Sequence, residues 1–233
     1  MGENGVAAAW RGTVECRNCG IRDFALFADL REHDFNLIHT CIDEISHQSG
    51  STLYDAGRRG QHVFTIRGGL VKLVQFAPNG SQRIVRLLRP GAVAGLEALL
   101  DAPYEHTAIT LQPTPVCRIP VDVVNDLDAK TTRLQRRLME RWHRSVQDAD
   151  DWLTGLSTGS ARARMARLLL GLPPSGDGLC DLFHREDLGA ILGITTETAS
   201  RTMAEFRRSG VITEKGQNRV ERHTLILQEI AAG

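Results

Sequence analysis

The segment from residue 184 to residue 210, HREDLGAILGITTETASRTMAEFRRSG, constrains the fold of this chain more than any other. Its apolar residues recur at spacings of three or four, which predicts two short helices with one buried face each. The predicted helices extend from Arg185 to Leu192 and from Thr195 to Arg208, and Gly193 lies at the corner between them. The residues predicted to point inward are Leu188, Ile191, Ile194, Ala199, Met203 and Phe206.

The outward face of the second helix is polar near its N-terminal end. Thr195 or Thr196 can cap this helix, because a threonine hydroxyl accepts a hydrogen bond from an N–H of the first turn. The side chains predicted to point outward there are Thr196, Glu197, Ser200 and Arg201. A carboxylate accepts from cytosine N4, a guanidinium binds guanine O6 and N7, and a hydroxyl contacts thymine or phosphate. A charged helix face is most often only solvated, but beside a glycine corner these residues favour binding in the DNA major groove.

The charge balance of the chain limits this hypothesis. The 233 residues include 28 basic and 28 acidic residues, so the formal net charge is zero. From His184 to the end, seven basic residues again stand against seven acidic ones. Non-specific affinity for DNA comes mainly from neutralised phosphates. We therefore expect the basic groups to be segregated in space and a single chain to bind DNA weakly.

Residues 42–120 have a different pattern, in which short alternating or apolar runs are separated by turn residues. The predicted strands are Thr52–Tyr54, His62–Ile66, 70–76, Gln82–Leu88 and 116–119. Asn79-Gly80 is suited to the positive φ angles of a hairpin turn. Evenly spaced strands with glycine turns predict an antiparallel β-barrel or roll. With 42% hydrophobic residues the chain can bury the cores of two domains.

After Pro120 the pattern predicts one long helix over residues 121–156. Its apolar residues recur every three or four positions and form an apolar stripe: Leu134, Leu138, Trp142, Val146, Ala149, Leu153 and Leu156. Such a stripe is more often core than interface. This helix looks longer than the roll, however, and a major-groove reader usually works as a dimer, so we predict a homodimer of paired helices. The acidic side chains that would repel across that pair, unless they are merely solvated, are Asp148, Asp150 and Asp151.

The remaining residues complete the predicted architecture. A helix is predicted from Ala161 to Leu170, a loop over residues 173–178, and a small β-wing over residues 211–227. The predicted fold class is α+β. An N-terminal antiparallel β-roll occupies residues 1–120, a long dimerisation helix residues 121–156, and a C-terminal winged helix-turn-helix residues 157–233.

The sequence also argues against several classes of protein. It shows no secretory signal and no apolar run of about 18 residues, which predicts a cytoplasmic protein without a membrane span. In a reducing compartment the five cysteines are not expected to form structural disulfides. No Ser/His/Asp arrangement, carboxylate pair or phosphate-cradling glycine loop stands out, so no enzymatic activity is predicted.

The order of β-roll, long helix and winged helix-turn-helix resembles the CRP/FNR superfamily of bacterial transcription regulators over nearly the whole chain. The segment LGITTETASR at residues 192–201 resembles the FNR branch. In that branch Glu-x-x-Ser-Arg implies recognition of a TTGAT-type half-site by Glu197, Ser200 and Arg201. PG and GLEAL within residues 90–99, and VCRIP at residues 116–120, are similar to FNR-type sensor domains. The resemblance implies a cyclic-nucleotide-binding-like roll, a homodimer on double-stranded DNA, and contact with RNA polymerase.

The resemblance also places an effector pocket in the roll, at Leu96, Glu97, His106 and Thr107. Cyclic-nucleotide-binding members carry a Glu just after the loop glycine, for the ribose, and an Arg before Ser/Thr-Ala, for the phosphate. Here Leu96 follows Gly95, and His106 precedes Thr107. A neutral histidine cannot supply a permanent bidentate cation. Cyclic AMP is therefore not expected as the effector.

The cysteines raise the question of an iron-sulfur cluster. FNR proteins sense oxygen through a cluster held by a Cys-x-x-Cys, a third cysteine soon after it, and a distant cysteine in the roll. The resemblance assigns three of these positions to Cys16, Cys19 and Cys117. The third position is not matched, because the residue six after Cys19 is Ala25, and a 4Fe-4S cluster normally needs four ligands. The remaining ligand would come from Cys41 or, as a non-cysteine alternative, Asp23.

Other interpretations stay open. Cys-x-x-Cys also occurs in redox pairs and zinc sites, and a buried cysteine often serves only as a small apolar residue. His62 and His106 raise the possibility of heme, because heme-binding members of the superfamily sense carbon monoxide or nitric oxide. A rival from another class is a roll-domain protein whose C-terminal helices bind other proteins.

Overall fold

The computed structural model describes residues 26–27, 34, 42–76, 82–175 and 177–233. The chain divides into two compact units. One unit comprises Met1–Gln75 and Leu87–Val146, and the other comprises Phe76–Arg86 and Gln147–Gly233.

An antiparallel β-roll forms most of the first unit. Its strands within the described residues are β1 (Asp43–His47), β2 (Thr52–Tyr54), β3 (His62–Ile66), β4 (Val71–Phe76), β5 (Gln82–Leu88), β6 (Val93–Ala94), β7 (Thr107–Thr110) and β8 (Thr114–Pro120). They form two four-stranded sheets, in the order β1-β8-β3-β6 and β2-β7-β4-β5. A short 3-10 helix, Leu96–Leu100, follows β6. The predicted antiparallel roll is confirmed, and each of the five predicted strands is present.

The roll also contains strands that the sequence pattern did not predict. In β1 the charged Asp43 and Glu44 precede Ile45, so no alternation of apolar residues is visible. The strand forms because it pairs with β8 over its whole length, and the Arg118 guanidinium donates to the Asp43 carboxylate across that pair at 2.6 Å. Strand β7 forms because it pairs with β2 on one side and with β4 on the other.

One apolar cluster lies where the roll meets the helices that follow it. We call it the junction cluster, and its buried members are Leu26, Phe27, Ile42, Val63, Cys117, Ile119, Val123, Val124, Leu127 and Leu134. Val93, Leu99 and Leu138 pack against it while remaining partly exposed. The junction cluster thus joins strands of the roll, the described part of the N-terminal segment and the first turns of the following helices.

The single helix predicted over residues 121–156 is wrong, because the structure contains two. Helix α1 spans Val121–Asp128 and helix α2 spans Thr132–Leu156. The chain turns at Thr131, whose N–H donates to Leu127 and whose hydroxyl accepts from the Arg133 N–H. Periodicity alone missed this break because the apolar spacing continues through it, whereas α1 separately buries its own apolar face in the roll.

The apolar stripe of α2 divides into two parts with different surroundings. Leu134 is 1% exposed and belongs to the junction cluster, and Leu138 packs against that cluster. Further along the stripe, Trp142, Val146 and Leu153 are exposed, Leu153 at 64%, whereas Ala149 and Leu156 are partly buried. Met139, next to the stripe, is exposed as well. The sequence treats the stripe as one surface, but only its N-terminal part is core.

The second unit contains the C-terminal helices and a small sheet. Its elements are α3 (Ala161–Gly171), β9 (Cys180–Asp181), α4 (Arg185–Leu192), α5 (Thr196–Arg208), β10 (Ile212–Gly216), β11 (Arg219–Arg222) and α6 (Thr224–Ala232). The sheet has the order β10-β11-β9 and is antiparallel. The winged helix-turn-helix is therefore confirmed. The wing ends earlier than predicted, because residues 224–227 begin helix α6, which buries Leu227 and packs against α3.

Some predictions concern residues outside the described ranges. The hairpin turn at Asn79-Gly80 and the metal-ligand candidates Cys16, Cys19, Cys41 and Asp23 all lie there. Within the described part of the chain, no helix combines the length and apolar character that crossing a bilayer requires.

Candidate nucleic-acid interface

The corner of the helix-turn-helix depends on two glycines. Gly193 ends α4 in the left-handed conformation, with φ at 61°, which favours glycine because it has no Cβ. Gly189 lies one turn earlier, and its carbonyl accepts the Ile194 N–H at 3.0 Å. A Cβ on Gly189 would lie 2.8 Å from the Ile194 carbonyl oxygen, so the two helices cannot keep this approach with a larger residue. The glycine at the predicted corner is confirmed.

Helix α5 begins where the sequence places it. The Thr195 hydroxyl accepts from the Thr198 N–H at 3.1 Å, which makes Thr195 the N-cap residue. The buried face of α5 includes Ala199, Met203 and Phe206, which the sequence predicts to point inward. Leu188 and Ile191 of α4 are also buried, while Ile194 is only half-buried. The capping group and the buried face together fix which side chains α5 presents to solvent.

The four predicted DNA-binding residues lie together on that outward side. Thr196, Glu197 and Arg201 are exposed, and Ser200 is partly exposed. The Arg201 Nη2 donates to the Glu197 Oε1 at 2.6 Å, one turn apart on the helix. An exposed pair of this kind contributes only about 0.3–0.5 kcal/mol. Breaking this ion pair, so that either side chain can bind a base edge, therefore costs little free energy.

The basic groups of this unit are distributed differently from the prediction. Four of the seven basic residues after His184 form ion pairs: Arg201 with Glu197, Arg207 with Glu214, Lys215 with Glu221, and Arg219 with Asp177 and Asp181. Arg222 instead donates to the Leu172 carbonyl, at 2.8 Å. The expected segregation of basic from acidic groups is thus wrong for most of these residues.

Arg185 stands at the N-terminal end of α4 and is half-buried. Burial, with a smaller contribution from the nearby Arg207, lowers the pKa of its guanidinium from the usual value. An arginine remains charged at neutral pH even so. Glu214, which pairs with Arg207, opposes this effect and links the wing strand β10 to the end of α5.

The residues predicted to line the effector pocket are buried or hydrogen-bonded within the roll. Leu96 is buried, and the Glu97 Oε1 accepts from the Glu105 N–H at 3.2 Å. The Thr107 hydroxyl accepts from the Ala56 N–H at 3.1 Å. His106 is buried as well. The four residues thus lie on or beside the 3-10 helix and β7, and two of them hold neighbouring backbone in place.

An aromatic stack lies beside these residues, and the sequence interpretation missed it. The Tyr104 ring stacks on Tyr54 with 4.0 Å between ring centroids, and Tyr54 stacks on Phe64 at 5.5 Å. The Tyr104 hydroxyl donates to the His62 carbonyl at 2.7 Å. A Cβ on Gly95 would lie 2.9 Å from the Tyr104 ring. Tyr104 therefore covers the loop glycine that the resemblance places beside a ligand's ribose.

Two cysteines lie within the described residues, and both are buried. Cys117 belongs to the junction cluster, which also contains Leu26 and Phe27. Cys180 lies in the other unit, where burial raises the pKa of its thiol, as expected for an inert residue. Among the residues that the structure describes, no group of three or more His, Cys, Asp or Glu side chains is suited to hold a metal ion.

Two family models match the chain. The model described as "Cyclic nucleotide-binding domain" matches residues 44–130, and the "Crp-like helix-turn-helix domain" matches residues 163–226. The first range covers most of the roll with α1, and the second contains α4, α5 and the wing. Together they cover well over half of the sequence.

Similar proteins span nearly the same length. The regulatory protein HlyX of Actinobacillus pleuropneumoniae is 26% identical over 215 residues, covering 89% of this chain and 90% of its own. The fumarate and nitrate reduction regulatory protein of Escherichia coli K12 is 27% identical over 214 residues, covering 88% and 85%. Among solved structures, FixK2 from Bradyrhizobium japonicum matches with a TM-score of 0.74 at 22% identity, covering 83% of this chain and 99% of that one.

Proposed function

The chain belongs to the CRP/FNR family of DNA-binding transcription regulators, and from this premise we propose that it acts as a homodimer on a palindrome of TTGAT-type half-sites. In this proposal residues 1–120 form the sensor domain, residues 121–156 the dimerisation segment and residues 157–233 the DNA-binding domain. RNA polymerase is the proposed partner at the promoter.

The observation that carries the DNA-binding proposal is the outward face of α5. Thr196, Glu197 and Arg201 are exposed on its first turns, and the capping bond from Thr195 fixes the start of that helix. A recognition helix contacts base edges with its N-terminal residues. In this proposal Arg201 donates to a guanine, Glu197 accepts from a cytosine amino group, and Ser200 and Thr196 contact the neighbouring bases or phosphates.

The dimer proposal is supported by the solvent-facing part of α2. Met139, Val146 and Leu153 are large apolar side chains that are more than half exposed. A row of such residues along one helix typically marks an interaction surface. A palindromic site requires two recognition helices on successive major grooves, and pairing of two copies through this row would supply the two α5 helices.

The sensor proposal assigns Cys117 a place in a 4Fe-4S site, together with Cys16, Cys19 and Cys41. Cys117 fits this role, because it is buried in the junction cluster, which also contains Leu26. Leu26 follows Cys19 by seven residues, and seven residues can span roughly 25 Å, so the N-terminal cysteines can reach Cys117. When bound, such a cluster would supply sensitivity to oxygen, as in the FNR branch. The chain's own part is to hold four thiolates near the start of α2.

A binding measurement tests the DNA proposal. Fluorescence anisotropy with a TTGAT-N4-ATCAA duplex, at one stated salt concentration, is expected to give an affinity roughly 10³-fold or more above that for a scrambled duplex. The assay is run under aerobic and anaerobic conditions. Equal affinities for the two duplexes in both conditions would contradict the proposed half-site and favour a protein-binding role for the C-terminal helices.

A separate measurement tests the sensor proposal. Protein purified anaerobically is examined by visible spectroscopy and assayed for iron and sulfide. Cys117→Ser is expected to lose both signals, while Cys180→Ser, a matched substitution of a buried cysteine in the other unit, keeps them. A colourless and iron-free wild-type protein after anaerobic reconstitution would reject the cluster. It would leave a regulator of the same architecture that senses thiol oxidation, heme or another small molecule.

A further inference from the structure

Three arginines of helix α2 lie at intervals of one turn on the less exposed side of the helix. They are Arg133, Arg137 and Arg141, and their side chains are partly or largely buried, Arg137 at 16% exposure. Arg136, one position from Arg137, is 86% exposed by contrast. Residues four apart share a helix face, so these three arginines form one row on the inward side of α2.

Two members of this row are bonded to different parts of the first unit. The Arg133 Nη2 donates to both carboxylate oxygens of Asp34, at 2.9 and 2.7 Å. The Arg141 Nη1 donates to the Gly91 carbonyl, at 3.2 Å, in the loop that precedes β6. Helix α2 is therefore attached to the roll by charged side chains as well as by Leu134 and Leu138.

The pair between Asp34 and Arg133 places two charges where each would be unfavourable alone. Asp34 is only 2% exposed, and a buried carboxylate is costly unless a cation and hydrogen bonds accompany it. Arg133 lies in the first turn of α2, where the helix dipole disfavours a positive charge and favours a negative one. The Asp34 carboxylate thus compensates Arg133 and also suits the helix terminus.

The same two stretches of chain also meet through apolar contacts. Leu26 and Phe27 of the N-terminal segment share the junction cluster with Leu134, the residue after Arg133. Cys117 is a member of that cluster too. The described residues of the N-terminal segment are therefore linked to the first turn of α2 by the ion pair at Asp34 and, through Leu26 and Phe27, by the shared junction cluster.

We propose that Asp34 and Arg133 form an ionic latch through which the N-terminal segment positions the first turn of α2. The latch thereby also positions the exposed apolar side chains further along the helix, which are Met139, Val146 and Leu153. Asp34 and Arg133 are positioning residues, because they act on the dimer surface through the helix. A displacement of the N-terminal segment would move Asp34, leave Arg133 unpaired with it, and weaken dimerisation. This inference rests on the proposed function only in taking α2 as the dimerisation helix.

Two readouts on iron-free, reduced, full-length protein test the latch. The dimer dissociation constant is measured by sedimentation, and the alkylation rates of Cys117 and Cys180 are measured by mass spectrometry. In Asp34→Asn and in Arg133→Gln, the dissociation constant is expected to rise about tenfold or more, since tenfold corresponds to about 1.4 kcal/mol. Cys117 is expected to react at least about tenfold faster, because Leu26 and Phe27, which share the junction cluster with it, are no longer held in place. Cys180 is expected to react at the wild-type rate.

Matched variants separate the latch from a general loss of stability. Arg136→Gln removes an exposed arginine from the same helix and is expected to change neither readout. The exchanged pair, Asp34→Arg with Arg133→Asp, is expected to restore most of the wild-type dissociation constant and of the wild-type Cys117 alkylation rate. The reason is that a carboxylate in the first turn of α2 also interacts favourably with the helix dipole. Circular dichroism verifies that each variant is folded.

The outcomes discriminate between the latch and the proposed function. Folded Asp34→Asn and Arg133→Gln proteins with a lower melting temperature but unchanged dissociation constant and unchanged Cys117 alkylation would overturn the latch. A wild-type protein that stays monomeric at every concentration, both iron-free and after anaerobic reconstitution, would instead reject α2 as the dimerisation helix. In that case a faster alkylation of Cys117 alone would still support the contact between Asp34 and Arg133 as the anchor of the N-terminal segment.

Discussion

The guanidinium of Arg201 donates to the carboxylate of Glu197 at 2.6 Å, so the two proposed base-reading groups bind each other. The pair spans one turn of α5, and both side chains are exposed. Glu197 thereby restrains the guanidinium along the outward face of the helix. DNA binding must replace this bond with bonds to bases, which is feasible because the exposed pair is weak.

Substitution of Glu197 is expected to change base preference more than overall affinity. Glu197→Gln should relax discrimination at single positions of the half-site, each contact contributing about 1–3 kcal/mol. Competition binding with every single-base variant of the duplex measures this. Arg208→Gln is the control, because Arg208 is an exposed cation at the far end of the same helix. Its loss should weaken binding to all duplexes by the same factor. An equally uniform loss of affinity for Glu197→Gln would contradict direct reading of a base.

Two leucines of the apolar stripe are expected to respond differently to the same substitution. Leu134→Ala removes a buried side chain from the junction cluster and should lower the free energy of unfolding by about 2–5 kcal/mol. Leu153→Ala should change monomer stability by less than about 0.5 kcal/mol, because Leu153 is exposed. It should instead raise the dimer dissociation constant. Urea unfolding and sedimentation give the two quantities, and an unchanged dissociation constant for Leu153→Ala would remove that residue from the dimer surface.

The tight corner between α4 and α5 is expected not to tolerate a methyl group at Gly189. A Cβ there would lie 2.8 Å from the Ile194 carbonyl oxygen, so Gly189→Ala should cost about 1–3 kcal/mol of stability. Gly155→Ala in α2 is the matched change, since nothing lies within 4 Å of its Cβ position. That variant should be neutral or up to about 1 kcal/mol more stable. Chemical denaturation compares them, and equal stabilities would show that the corner can relax.

Neutralising the acidic residues of α2 is expected to strengthen the dimer. Asp148, Asp150 and Asp151 are exposed on the C-terminal half of the helix, where two copies would approach each other. The triple Asn variant should lower the dimer dissociation constant about fivefold, because like charges on helix surfaces cost about 0.2–0.5 kcal/mol per pair. Added salt should have a smaller effect on this variant than on the wild type.

Asp126→Asn is the control for that experiment, as an exposed aspartate on α1, outside the apolar stripe. It should leave the dissociation constant unchanged. A triple Asn variant with the wild-type dissociation constant and the wild-type salt dependence would show that the three carboxylates are merely solvated.

The stability of the chain is expected to fall on mild acidification, in part because of His62. Burial, and after it the Arg118 guanidinium, lowers the pKa of His62, while Asp43 partly opposes them. A histidine with a lowered pKa binds a proton more readily when the chain is unfolded. Its contribution to stability is therefore complete above the unfolded pKa of about 6.5 and is lost as the pH falls below that value toward the folded pKa.

His62→Gln tests this contribution. The melting temperature of the variant should fall less steeply than that of the wild type between about pH 7 and pH 5.5. His143→Gln, a change at an exposed histidine of α2, should reproduce the wild-type slope. Identical slopes for all three proteins would assign the acid sensitivity to other groups, such as His47, whose pKa is also lowered by burial and by Arg118.

The sequence by itself determined the helix-turn-helix. Its signals are local: the spacing of Leu188 and Ile191, the left-handed Gly193, and the Thr195 cap all act within a few residues of one another. The strands with glycine turns were predictable for the same reason. Such spacing does not depend on the rest of the chain, so the outward face of α5 followed from the sequence.

Only the tertiary structure decided which surfaces of the helices are core and which contacts join distant segments. The break at Thr131, the burial of Leu134 but not Leu153, and the helix at residues 224–232 depend on what packs against each element. Asp34 and Arg133 are 99 residues apart in the chain, and no spacing rule connects them. The partner is decided on folding, because burial of the Asp34 carboxylate makes an unpaired charge costly and so favours its contact with Arg133 over the alternatives.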